Sequence, residues 1–118
     1  MRKVDHLLFI EDIKESLEKI ERYVAGMDFD AFAGNELVID AILRNLEVIG
    51  EAAKNIPERF RKEHSDIEWR RMIGLRNIVA HEYFGVDLHI IWEIITKRLP
   101  ETKSKIDDMH STISKGNG

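Results

Sequence analysis

Residues 36–55 read ELVIDAILRNLEVIGEAAKN, and they decide the fold class. Val38, Ile42, Leu46, Ile49 and Ala53 recur at three- and four-residue steps, the period of one face of an α-helix. Pro57 limits the helix on its far side, since proline lacks the amide donor and restricts the residue before it. The apolar surface is wider than one stripe. Ala41, Val48 and Ala52 broaden it, and Leu37 and Ile39 add to the flanks. Such width has two readings: a central helix surrounded by its own chain, or a helix that meets its own core on one side and a second subunit on the other. Gly50, followed by Ala52 and Ala53, permits a close helix crossing.

The helical pattern extends to both sides. Towards the N-terminus, Val4, Leu7, Leu8, Ile13, Leu17, Ile20, Val24 and Met27 predict a helix from Val4 to about Met27. Glu11, Lys14, Glu18 and Glu21 fall between them, and Gly26 and Asp28 mark its end. Asp28 to Asn35 reads as a turn with a short helical piece after Asp30. Towards the C-terminus, Pro57 to His64 predicts a short exposed helix around Phe60. Asp66 is the expected N-cap of a long helix from Ile67 to about Tyr83, with Gly85 as its stop. Asp87 is placed to cap a helix from Leu88 to Leu99, with the stripe Leu88, Ile91, Trp92, Ile95 and Leu99. Pro100 is expected to end that helix and to open a polar last helix around Ile106, Met109 and Ile113. No strand pattern, repeat or linker is evident. The prediction is an all-α antiparallel bundle of four to five helices, forming one domain over residues 1–114 with a flexible tail at 115–118.

Composition narrows the function. A net charge of −4 over 118 residues argues against a protein that holds nucleic acid across a broad basic face, so no DNA partner is expected. A small site where a few cations meet one phosphate remains open. The chain has no cysteine, which removes disulfides and thiolate metal sites and suits a reducing cytoplasm. No apolar run approaches the roughly 18 residues that cross a bilayer, and no signal-peptide centre is visible. His6, His64, His81, His89 and His110 lack close metal-ligand spacing, so no metal site is expected. Glycine-rich phosphate loops are absent too, and no resident cofactor is expected.

Chemistry-bearing residues gather in one stretch, Gly74 to Asp87. Within it stand Arg76, Asn77, His81 and Tyr83, set among apolar residues. On an ideal helix Asn77 and His81 share a face one turn apart, and Arg76 and Tyr83 share another about two turns apart. Arg76 and His81 diverge by roughly 140°, so backbone placement alone does not aim both at one atom. Swing of the long arginine, loosening of the helix near its end, or a second copy across a two-fold axis would each bring them together.

The residue types suit RNA phosphodiester cleavage. His81 can act as base or acid near its reference pKa of about 6.5. Arg76 can grip a phosphate and stabilise developing charge. Asn77 can orient His81 or the ribose, and Tyr83 can donate to phosphate or stack on a base. Plain structural roles are available for the same side chains. Arg76 can pair with an acid such as Glu51, and Asn77 can bridge helices. His81 can sit half-buried near a helix C-terminus, and Tyr83 can pack in the core. Trp69 and Trp92 read as core anchors. Arg44 reads by default as a salt-bridge partner, with reach to the cleft as the alternative, and Asp40 and Glu47 read as a solvated or inter-subunit face.

Arg76-Asn77-Ile78-Val79-Ala80-His81-Glu82-Tyr83 resembles the Arg-x4-His-x-Tyr motif of HepT-like toxins in the HEPN superfamily. Ile49-Gly50-Glu51-Ala52-Ala53-Lys54 is similar to that family's second-helix signature. Ile67-Glu68-Trp69, Gly74-Leu75-Arg76-Asn77, Trp92 and Leu99-Pro100 also match it in order and spacing. One departure is visible: His64-Ser65-Asp66 stands where the family often has a proline. The resemblance implies a HEPN-like homodimer with its cleft at the two-fold axis, where Arg76 and His81 carry metal-independent RNA cleavage. It further implies a minimal nucleotidyltransferase antitoxin as partner, which transfers AMP from ATP to Tyr83 and silences the toxin. The alternative is a catalytically inactive HEPN-type module that binds a nucleotidyltransferase subunit or a nucleotide.

Overall fold

The computed structural model describes residues 3–81 and 87–116, with side chains described for 7–79 and 87–113. The chain forms α1 (Lys3–Val24), α2 (Phe29–Ala33), α3 (Glu36–Asn55), α4 (Glu58–Glu63), α5 (Trp69–His81), α6 (Leu88–Glu93), a π-helical turn (Ile94–Arg98) and α7 (Leu99–Gly116). Among the described residues there is no strand. Four long rods and two short helices make up the expected all-α bundle.

α3 is its centre. It packs against α1 on one side and α5 on the other, while α7 lies on α1. Ile42, Leu46, Ile49 and Ala53 are fully buried, opposite Ile10, Ile13, Leu17 and Ile20 of α1. Removing each such large aliphatic side chain from water contributes about 1.5–3 kcal/mol. The α1 stripe differs from expectation in one register: Ile10 is fully buried, whereas Leu8 is 52% exposed. Ile10 and Ile13 lie three apart on one face, and Leu8 points off it.

Local chemistry sets the helix ends. α1 stops at Gly26, whose φ of +77° is a conformation that glycine adopts at little cost. Asp28 caps α2 by accepting from the Ala31 amide at 2.8 Å, and Asn35 caps α3 through Val38 at 3.1 Å. Asp87 caps α6 as expected, accepting from the His89 amide at 2.9 Å.

Two boundaries depart from the sequence reading. α5 begins at Trp69 rather than Ile67, and Asp66 does not cap it. The Glu68 carbonyl takes the first helical bonds, from Arg71 and Met72. Residues 64–68 are instead drawn into a turn: the Trp69 indole N–H donates to the His64 carbonyl at 3.0 Å, and Lys105 of α7 donates to the Asp66 carbonyl at 2.8 Å. At the other boundary, Pro100 sits in the first turn of the last helix, α7, as expected, but it does not interrupt the helical backbone before it. α6, the π turn and α7 keep right-handed helical backbone through Glu93, Ile94 and Leu99. The widened turn lets the Leu99 amide reach the Ile94 carbonyl, five residues back, just before the proline that has no amide to give. At a 1.5 Å rise, residues 88–116 would span about 43 Å, close to the molecule's longest extent of 44 Å. α7 reaches Gly116, and residues 117–118 of the expected tail lie outside the described residues.

Candidate functional site: a groove along α3 and α5

The site is built from a close helix crossing. A Cβ placed on Gly50 would lie 2.9 Å from both the Cβ and the amide nitrogen of Arg76. Only glycine permits that approach, so α3 and α5 touch backbone to backbone where Arg76 leaves its helix. The base of the arginine is thereby fixed, and its guanidinium extends past the crossing into solvent.

There it meets Glu51, the next residue on α3. Arg76 Nη1 lies 3.1 Å from Glu51 Oε2, and the two side chains are 48% and 50% exposed. This is the structural partner that the residue types admitted. Because the pair is half in water it is weak, worth about 0–1 kcal/mol. A guanidinium has five donors, so one carboxylate leaves most of its binding capacity unused.

Arg76 and Glu51 line a groove of about 540 Å³. Asp12 of α1 and Arg44 and Glu47 of α3 share it, over a wall that includes Val48 and Ala52. Arg44 makes its own ion pair with Glu47 at 2.7 Å. The salt-bridge reading of Arg44 is therefore met, and the residue also lines the groove that holds Arg76. Asp12 and Phe9, which bring α1 into the lining, were not foreseen. Nothing in a helical period signals them, since their position depends on how α1 crosses α3.

α3 turns a continuous stripe outward along this groove. Leu37, Ala41, Arg44, Val48 and Glu51 fall within about 40° of one line on an ideal helix. Leu37 is 81% exposed, and Ala41 and Val48 are only half-buried. The second reading of the wide apolar surface, a face left for another subunit, has its material here, although α3 is also the central helix of its own chain.

The remaining motif residues are placed less fully. Asn77 is exposed. His81 is the last residue of α5, and its side chain lies outside the described residues. So does Tyr83. The expected meeting of Arg76 with His81 and Tyr83 therefore falls outside what the structure describes.

Fold and groove together define a class: a small all-α bundle whose central helices cross at a glycine and present an arginine from a motif helix to an open polar groove. The chain belongs to the HepT-like family, described as "Ribonuclease HepT-like", whose model matches residues 13–109. It is 39% identical over 101 residues to "Putative RNase TTE0752" of Caldanaerobacter subterraneus subsp. tengcongensis, covering 86% of this chain and 90% of that protein. It is 37% identical over 107 residues to "Probable ribonuclease HepT" of Thermococcus cleftensis, covering 91% and 97%. No solved structure matches the chain. Among the described residues no helix is long and apolar enough to cross a membrane.

Proposed function

We propose that this chain is the toxin of a toxin–antitoxin pair, a metal-independent endoribonuclease that acts as a homodimer. One observation carries the reading. The Arg76 guanidinium is half-exposed in a groove beside the outward stripe of α3, on the same helix as His81, in a chain of the HepT-like family. A second copy seated on that stripe would cover Leu37 and Val48 and bring a second Arg76 and His81 to the same cleft.

The reaction uses these groups as follows. One His81 takes the proton of the ribose 2′-hydroxyl as that oxygen attacks the adjacent phosphorus. Arg76 leaves Glu51 for the phosphate and stabilises the charge building on its non-bridging oxygens. The bond from phosphorus to the 5′-oxygen breaks, and that oxygen takes a proton from the partner's His81. The products are a 2′,3′-cyclic phosphate and a free 5′-hydroxyl. Asn77 orients the imidazole or the ribose. Silencing comes from a minimal nucleotidyltransferase partner: the Tyr83 phenol oxygen attacks the α-phosphorus of ATP, pyrophosphate leaves, and the bound AMP competes for Arg76 and fills the cleft.

The test is RNA cleavage by the purified protein in EDTA. Activity should survive chelation and be lost in both Arg76→Ala and His81→Ala. Intact mass after incubation with a minimal nucleotidyltransferase and ATP tests the modification, and an equal mass gain in Tyr83→Phe would place it elsewhere. One observation favours the second reading, a silent binding module: carboxylates outnumber guanidiniums in the groove, three to two. That reading predicts no cleavage in the same assay.

A further inference from the structure

A different groove, between α4 and the start of α5, has the opposite balance of charge. Its volume is about 610 Å³, and Arg61, Lys62, Arg70 and Arg71 line it with Glu58 and Glu68. Four cations face two carboxylates, a local surplus of two positive charges in a chain whose net charge is −4. The carboxylates are already engaged: Glu58 pairs with Lys62 at 3.5 Å, and Glu68 with Arg71 at 3.2 Å. Arg61 and Arg70 form no ion pair among the described residues. The Arg61 Nε is buried and finds no hydrogen-bond acceptor among them.

We infer that this groove is a second anion site, one that holds the phosphodiester backbone of single-stranded RNA away from the Arg76 groove. The inference rests on the ribonuclease reading for its choice of polyanion. Guanidiniums present planar paired donors that match phosphate oxygens. Its shape is set before any ligand arrives. Ile67 and Trp69 are buried beneath it. The turn between the two walls is held by the Trp69 indole bond to His64 and by Lys105 from α7. A fixed groove spares the ordering cost of binding. The Arg76 groove, with its excess of carboxylate, attracts a polyanion poorly from a distance. A separate cationic surface, shared by α4 and the start of α5, supplies that attraction.

The test uses the full chain carrying His81→Ala, to prevent cleavage, with a labelled mixed-sequence single-stranded RNA titrated over a range of salt. Adding Arg61→Gln and Arg70→Gln should lower the slope of log affinity against log salt by about 1.4, the counterion release of two phosphate contacts on a single strand. Binding at low salt should weaken about tenfold. Adding Glu58→Gln and Glu68→Gln instead frees Lys62 and Arg71 and should tighten binding several-fold, an effect of opposite sign that damage to the fold would not produce. Thermal melts confirm that each variant folds. An unchanged slope in the arginine variant, no tightening in the glutamate variant, or a parent that does not bind RNA would each overturn the inference. If the protein with His81 intact cleaves RNA while the slope does not respond, this site fails and the ribonuclease reading stands. If the slope responds but nothing is cleaved, the reverse holds.

Discussion

α5 serves two grooves, and they differ in what their arginines are doing. In the groove shared with α3, Arg76 and Arg44 each rest on a carboxylate of α3, at 3.1 and 2.7 Å. In the groove shared with α4, Arg61 and Arg70 rest on none among the described residues, while Lys62 and Arg71 are paired. Their charge balance differs, two guanidiniums against three carboxylates in the first and four cations against two carboxylates in the second, and so does partnership. A paired arginine is held at a defined point and exchanges its carboxylate for a ligand there; an unpaired one adds to the long-range field. The first suits chemistry on one phosphate and the second suits capture of a chain of them.

The largest effect should come from breaking the first groove. Arg76→Ala should lower RNA cleavage by about 10²–10³-fold, the usual loss when one donor to a developing oxyanion is removed. Single-turnover rates at saturating RNA would show it as a loss in kcat. Arg61→Gln with Arg70→Gln should instead raise KM and leave kcat near its original value. Equal losses in kcat from both sets would erase the distinction between the grooves.

Gly50→Ala sharpens the comparison from below. Its new methyl would meet Arg76 at 2.9 Å, where the obstacle is backbone as well as side chain. Overpacking of this kind costs about 1–3 kcal/mol, measurable as a lower urea midpoint. Cleavage should fall as well, because the base of Arg76 moves, whereas RNA affinity through the α4–α5 groove should hold. Trp69→Phe is the reciprocal change. It keeps the buried ring and removes the bond to the His64 carbonyl, a loss of about 0.5–1.5 kcal/mol. RNA affinity should weaken slightly with kcat unaltered.

The smallest effect is expected far from both grooves. The Lys103 ammonium lies 3.0 Å from Asp107 on α7. Its pKa is raised above the ordinary lysine value of 10.5, first by the hydrogen bond to Asp107, against an opposing effect of burial, and then by the charges of Asp107, Glu21 and Glu18. A raised value means that the pair stabilises the fold fully below the unfolded lysine pKa and loses that contribution as pH climbs through the folded one. Lys103→Met should therefore cost no more than about 1 kcal/mol at neutral pH. The difference from the parent should shrink in denaturant titrations above the ordinary lysine value.

Much of the fold was legible because helical period and caps are local. The bounds of α3, the Asp87 cap and the short helices before Asn35 and after Pro57 follow from residues within one or two turns. The close crossing at Gly50 was legible too, since a glycine beside small residues in a helix interior has few other uses. What escaped depends on contacts distant in sequence. Asp66 has the side chain of a cap, but Lys105, thirty-nine residues away, takes its carbonyl, and Trp69 pulls the turn inward. Pro100 looks like a terminator until the π turn supplies a way through. At the site, Arg76 and its Glu51 partner could be named from residue types. The groove itself could not, because Asp12 and Phe9 enter it only through the packing of α1 on α3.

In the proposed enzyme two copies of α5 build a single cleft and divide the two proton transfers between them. The most direct measurement pairs an intact subunit with a His81→Ala subunit in one purified heterodimer and follows RNA cleavage in EDTA. Activity far below half that of the intact homodimer is expected, because each cleavage needs both imidazoles. Activity at half or above would contradict it, since each subunit would then cut alone.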